Sequence, residues 1–299
     1  MDKKQEIFDK VQALAIQTNH KMQESFVGKF RSAFLGEGFD YAESKVFSDG
    51  DNVKHIDWKT SAKTGKLFVK KFEETRKLKI NLLVDNSISL QTGFSDLKKN
   101  KLIEAFALIV FSALKSGDRI SLKFLSEGIE ENGDLGEVFG SGKKFSFKVL
   151  EKILSEKFDK IEINYEKFFE NFNSNKKNNN SIIFIFSDFE DENLLKNIEK
   201  INPKNEIICV FIRDNLEKIL KNNFAKNGIS EFEDFKTGEK ILIDWKKFGE
   251  FKKFLDADIF EKRKKLAKFG IESLEVFEEK SVMDDFAEFF ATKKRRKRK

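Results

Sequence analysis

Apolar positions along the chain follow two rhythms. From residue 80 onward, short runs that are almost wholly apolar alternate with longer helical segments. The first run is Ile80-Asn81-Leu82-Leu83-Val84, followed by a long apolar helix from about Lys98 to Leu114. Next come a strand from Arg119 to Leu125, a hairpin-like stretch through Phe139 and a helix from about Ser146 to Lys157. The run Ile182-Ile183-Phe184-Ile185-Phe186 precedes a helix near Glu192 to Lys200 and a strand over Ile207 to Ile212. After a loop region with Thr237-Gly238-Glu239, a helix from Phe248 to Phe269, a strand from Ser273 to Phe277 and a helix from Val282 to Phe290 complete the count. Strands that are apolar on both faces, separated by helices, predict a doubly wound, mostly parallel α/β sheet covered on both sides.

The first 79 residues read differently. Ile7, Val11, Leu14, Ala15 and Met22 recur at helical spacing over 2–22, which predicts an amphipathic helix. Residues 30–78 mix Gly, Ser, Asp and Lys with brief apolar pieces such as Leu67-Phe68-Val69, the pattern of loops and short strands. The expected organisation is therefore an N-terminal helix and small β extension over 1–79, an α/β domain over 80–290, and a basic tail over 291–299.

Composition narrows the classes. The chain of 299 residues is 39% hydrophobic and 36% charged, enough for a sizeable core beneath a charged surface. No apolar run approaches the roughly 20 residues of a membrane-spanning helix, and Met1 to Lys10 is charged where a signal peptide is apolar, so a cytoplasmic protein is expected. Cys209, the single cysteine, lies inside an apolar strand, and with only His20 and His55 a Cys/His zinc site is not expected. The net charge of +6 belongs to Lys293–Lys299; without those seven basic residues it becomes −1. Nucleic-acid or anionic-surface binding is then a question for the tail alone, against the alternative of a disordered, solubilising end.

In open α/β sheets ligands bind beyond the carboxyl ends of the strands. Two apolar strands end there in aspartates. Asp85-Asn86-Ser87-Ile88-Ser89 places an aspartate and two serines at steps of two, and Ser187-Asp188-Phe189 supplies a second carboxylate. Such oxygens suit a hard divalent cation such as Mg²⁺. Equally, the same residues serve as caps of the following turn and helix; spacing alone does not separate the two readings.

Asp49, Asp51 and Asp57 lack the glycine and glutamate of a calcium loop, so Asp57 and Trp58 are expected to anchor the β extension by packing, with Trp58 buried. Gly140-Ser141-Gly142-Lys143-Lys144 misses the first glycine and the final hydroxyl of a phosphate loop.

Asp85-x-Ser87-x-Ser89 after an apolar strand, with Asp188 ending a later one, resembles the metal-ion-dependent adhesion site of von Willebrand factor A-like domains. Gly50-Asp51-Asn52-Val53-Lys54-His55-Ile56-Asp57-Trp58, Ser61-Ala62-Lys63 and Leu67-Phe68-Val69-Lys70-Lys71-Phe72-Glu73 carry a further likeness, together with Asp118-Arg119, Ser187-Asp188-Phe189 and Thr237-Gly238-Glu239. They resemble the bacterial family called domain of unknown function 58, over about Gly28 to Phe290. That resemblance implies a von Willebrand factor A-like fold and a non-enzymatic adaptor role beside a MoxR-type AAA+ ATPase. It also implies Ser87 and Ser89 as direct metal ligands, with Asp85 and Asp188 in support. No Gly-Gly-Thr-type loop is present, so the third hydroxyl is expected from Ser146 or Ser141. A metal-dependent phosphoester hydrolase is the enzymatic alternative.

Overall fold

The structure, a computed structural model, describes residues 9, 13, 24–35, 43–48, 56–71, 77–90, 97–126, 139–213, 229–233, 239–244, 248–277 and 281–297. These fall into two compact units: 78–286 forms one, and 24–77 with 287–297 forms the other. The helix expected over 2–22, and His55 with Asp49 and Asp51, lie outside the described residues apart from Asp9 and Ala13.

The larger unit is built on five parallel strands: β3 (Lys79–Val84), β4 (Arg119–Phe124), β5 (Ile182–Ser187), β6 (Glu206–Arg213) and β9 (Glu272–Phe277). Their spatial order is β4-β3-β5-β6-β9. The chain therefore lays its second strand on one side of its first and all later ones on the other, so the order reverses between β3 and β5. Register runs straight across this reversal, with Leu82 beside both Leu122 and Phe184. A single antiparallel bridge, Gly140 to Ile120, lies on the outer side of β4.

Strands β3, β5 and β6 read as near-continuous apolar runs because both faces are covered. On one face Phe106 of α3 (Leu97–Ser116) packs against Phe186 with ring centroids 5.8 Å apart, and Phe111 meets Phe147 of α4 (Lys143–Ser155). On the other, Leu83, Ile183, Ile185, Cys209 and Phe211 form a core with α5 (Tyr165–Ser174), α6 (Glu192–Ile198) and Leu266 of α7 (Phe248–Lys268).

Sequence periodicity overlooked α5, although Tyr165, Phe168, Phe169 and Phe172 recur at the spacing of one helical face and all are buried. Residues read as a loop around Glu239 include a hairpin, β7 (Ile229–Glu233) paired antiparallel with β8 (Lys240–Asp244).

At the amino end of the sheet a neutral polar network fixes the register. Ser121 Oγ donates to Asn81 Oδ1 (2.6 Å), Asn81 Nδ2 donates to Ser181 Oγ (2.8 Å), and Ser181 Oγ donates to the Asn178 carbonyl (2.6 Å). Asn81, Ser121 and Ser181 are buried, and each finds its partner within the network.

In the smaller unit, β1 (Glu43–Val46) pairs antiparallel with β2 (Phe68–Lys71). Between them α2 (Trp58–Thr64) is capped by Asp57, whose carboxylate accepts from Thr60 N (3.1 Å) and Thr60 Oγ1 (2.7 Å), and it ends at Gly65 in the left-handed region, φ 69°. Asp57 is buried, but Trp58 is 70% exposed, which corrects the expectation of a buried tryptophan. The physical reason is position: directly after the cap, the Trp58 side chain projects from the first helical turn, and the cap's hydrogen bonds rather than indole packing hold the segment.

Phe26, Phe30 and Phe34 of α1 (Glu24–Leu35) surround Phe290 of α8 (Val282–Lys297), with centroids 5.9, 5.3 and 5.7 Å away. Helix α8 runs past the expected end at Phe290. Residues 293–297 of the basic stretch are therefore helical, not a flexible tail. Lys293 is buried with its ammonium 5.3 Å from the Phe34 ring centroid, a cation–π contact that ties the stretch to the helix pair.

Candidate functional site at the sheet switch point

The reversal of strand order puts the switch point, where sheets of this kind bind ligands in a crevice, at the carboxyl ends of β3 and β5, and Asp85 and Asp188 lie there. Asp85 extends β3 by one hydrogen bond, its N–H donating to the Phe186 carbonyl (2.9 Å). Its side chain then turns into the protein. Oδ1 accepts from Ser87 N (2.9 Å) and Oδ2 from Ser187 Oγ (2.6 Å). The carboxyl is 2% exposed, and burial, followed by repulsion from Asp188, pushes its pKa up to about 6; the bonds from Ser187 and Ser87 offset part of that rise.

The Asp85 turn aims the next hydroxyls together. Ser87 Oγ and Ser89 Oγ are 2.9 Å apart, with Ser89 inside the single 3₁₀ turn Ile88–Leu90. The segment 156–164 closes over this turn. Ile88 N donates to the Lys160 carbonyl (2.9 Å), and Asn86 Nδ2 donates to Glu156 Oε1 (2.8 Å). Asn86 Oδ1 is buried without a hydrogen-bond partner, the kind of orphan a ligand site tolerates and a packed core avoids.

On β5, Ser187 Oγ also accepts from Phe189 N (3.0 Å). Phe189 adopts φ 56°, an unfavourable conformation for a bulky residue, held by stacking on Phe211 at 4.1 Å between centroids. The Asp188 side chain is 5% exposed and accepts from Lys98 Nζ at 3.3 Å, the same ammonium lying 3.4 Å from Glu190 Oε1. Tyr165 opens α5 after the Asn164 cap. Its phenol is held protonated by burial first and then by the charges of Asp85, Asp191 and Asp188. Beside it lies a polar cleft of about 470 Å³ lined by Glu162, Asn164, Tyr165, Asn193 and Asn197.

Of the residues singled out from sequence, the fold brings Asp85, Ser87 and Ser89 into one hydrogen-bonded turn, with Asp188 close enough to raise the Asp85 pKa. Ser146 does not join them. It is buried in the first turn of α4, next to Gly140, which pairs with the start of β4 at the opposite end of the sheet. The Asp85 turn is reached instead by Glu156, ten residues and about 15 Å beyond Ser146, and by Lys160. Ser141, exposed, lies at that same far end. Sequence reading passed over Lys98, Asn86 and Tyr165; an unusual signal for Lys98 was a lysine in a first helical turn that holds no acidic residue.

The donor set can be compared with what a divalent ion needs. The spacing of the Ser87 and Ser89 hydroxyls suits neighbouring oxygens of an octahedral shell. The remaining donors do not follow. Both Asp85 oxygens accept from the chain, Asp188 is already balanced by an ammonium, and the abutting segment 156–164 carries no serine or threonine. Among the described residues no three His, Cys, Asp or Glu side chains gather in a form that could hold a metal. Among the described residues, the donors present do not complete the shell of a resident divalent cation.

The larger unit is a parallel α/β fold whose strand order reverses between β3 and β5. The chain belongs to the family described as protein of unknown function DUF58, whose model matches residues 43–258. It is similar to an uncharacterized protein of Mycobacterium tuberculosis, 29% identical over 111 residues, covering 37% of this chain and 35% of that one. The uncharacterized protein YeaD of Bacillus subtilis is 30% identical over 121 residues, 40% of this chain and 28% of its own. The matched segment thus spans about a third of these relatives' lengths. Among solved structures, proximal thread matrix protein 1 from the mussel byssus aligns with a TM-score of 0.31 at 12% identity, covering 45% of this chain and 38% of its own. Among the described residues no helix is long and apolar enough to cross a membrane.

Proposed function

We propose that this protein is a non-enzymatic, von Willebrand factor A-like adaptor that works with a MoxR-type AAA+ ATPase and engages its partner at the crevice around Asp85, Ser87, Ser89 and Asp188. One observation carries the reading: a hydroxyl pair 2.9 Å apart is presented at the switch point by a buried carboxyl whose ionisation is disfavoured. Such an arrangement costs stability and is characteristic of a site. The ATPase as partner rests on family resemblance.

Chemistry at the crevice favours binding over catalysis. No histidine or cysteine adjoins Asp85 among the described residues, and Cys209 is buried in β6 with its thiol pushed up by desolvation, an inert position. The test is a binding titration of the full chain against purified MoxR-type ATPase. The reading expects saturable binding, weakened about tenfold or more by Ser87→Ala combined with Ser89→Ala. Absence of binding, an unaffected double variant, or Asp85-dependent hydrolysis of phosphodiesters would each overturn it.

A further inference from the structure

The first turn of α3 is electrostatically inverted. Helix amino ends favour acidic side chains, yet this one carries Lys98 and Lys99 with no acidic residue in its first turn, while Lys101, a turn further on, pairs with Glu104 at 3.1 Å. Local helix formation does not explain Lys98 and Lys99, but the crevice does. Lys98 Nζ reaches across 90 residues of sequence to Asp188, with side chains only 12% and 5% exposed. Lys99 Nζ donates to the Glu156 carbonyl at 3.2 Å, 4.7 Å from the Phe158 ring centroid, on the segment that closes over Ser87.

An ammonium with so little exposure is costly to desolvate unless it is paired. Asp188 is equally buried and lies near enough to Asp85 to disfavour its ionisation. The Lys98 ammonium balances Asp188 and Glu190 at this point, a positive charge that the chain supplies covalently. We propose that the Lys98 ammonium is the resident cation of the strand-end site, so that the crevice is assembled, and binds its partner, without a divalent metal.

The inference deepens the adaptor reading and rests on it for the identity of the site. Three consequences follow from charge alone. Wild-type protein has no vacancy for Mg²⁺ or Mn²⁺, because a divalent ion beside Asp188 would have to displace or repel the ammonium. Lys98→Met, which keeps length and removes charge, leaves Asp188 and Glu190 without that ammonium and creates that vacancy. Lys98→Arg keeps a cation and does not.

The experiment is calorimetric titration of Mg²⁺ and of Mn²⁺ into the full-length wild type, Lys98→Met, Lys98→Arg, and Lys98→Met combined with Ser87→Ala. Expected are no saturable binding below about 10 mM in wild type and Lys98→Arg, and sub-millimolar binding in Lys98→Met, about tenfold tighter or more and lost with Ser87→Ala. Wild-type binding tighter than about 1 mM that Ser87→Ala abolishes would overturn the proposal, as would a folded Lys98→Met with no gain in affinity. If Lys98→Met fails to fold, the wild-type titration against Ser87→Ala decides by itself. Because these titrations need no partner, their failure is separate from failure of ATPase binding. Repeating the ATPase titration in a chelator links the two: undiminished binding supports metal independence, and loss of binding contradicts it.

Discussion

Two buried polar clusters bridge the same strands, β3 and β5, at opposite ends, about 13 Å apart along β3, and they are built on opposite principles. At the amino end, Asn81, Ser121 and Ser181 are neutral and closed on one another. At the carboxyl end, Asp85 and Asp188 are carboxylates in a desolvated place, Asn86 Oδ1 lacks a partner, Phe189 is held in the left-handed region, and an ammonium is drawn in from α3. A satisfied neutral network specifies register at little electrostatic cost. The carboxyl end gives up stability for its arrangement, which supports the proposal that it is the end that binds the partner.

The comparison is broken most severely at the amino end. Asn81→Ala removes the acceptor of Ser121 and the donor to Ser181 together, leaving the buried Ser121 hydroxyl without that acceptor while Ser181 keeps its bond to the Asn178 carbonyl. A loss of about 3 kcal/mol in denaturant unfolding is expected, with partner affinity of the folded protein unchanged.

Asp85→Asn should act in the opposite direction. The carboxyl moves from an ordinary value of 3.8 to about 6 on folding, so the folded state holds a proton that the unfolded chain has lost between those values. Wild-type stability from this group is therefore greatest below pH 4, falls as pH rises to about 6, and levels off above it. The full shift corresponds to about 3 kcal/mol. Asparagine removes that penalty, and roughly 1–3 kcal/mol of stabilisation is expected at pH 8, vanishing below pH 4, in unfolding curves measured across pH. The same variant should bind its partner weakly.

A smaller effect sharpens the contrast. Ser87→Ala and Ser89→Ala remove a hydroxyl pair in which Ser87 is buried and Ser89 half-buried, so each should change stability by about 1 kcal/mol or less while partner affinity falls. A large stability loss would place these serines with the amino-end network instead.

Much of the fold was legible because a sheet covered on both faces leaves continuous apolar runs, and β3, β5 and β6 are such runs. The strand-end aspartates were legible for the same reason, as the first charged residues after the β3 and β5 runs. Helix α5 sits behind an asparagine cap and among lysines and asparagines, and its aromatic stripe of only ten residues was masked by them. Ser146 shows what a linear reading lacks. Its hydroxyl is chemically suitable, but the direction of α4 places it at the wrong end of the sheet. Lys98 was invisible for a related reason: a lysine on a helix ordinarily reads as solvated, and only the pairing across 90 residues gives it a place in the crevice.

The most direct test of the central claim, that the carboxyl end binds and the amino end only specifies, is amide hydrogen exchange of the full chain with and without a MoxR-type ATPase. Protection on binding is predicted for 85–90, 156–165 and 187–193, with 118–122 and 178–183 unchanged. Protection confined to the amino-end segments, or absent from 85–90 while the partner is demonstrably bound, would contradict the account.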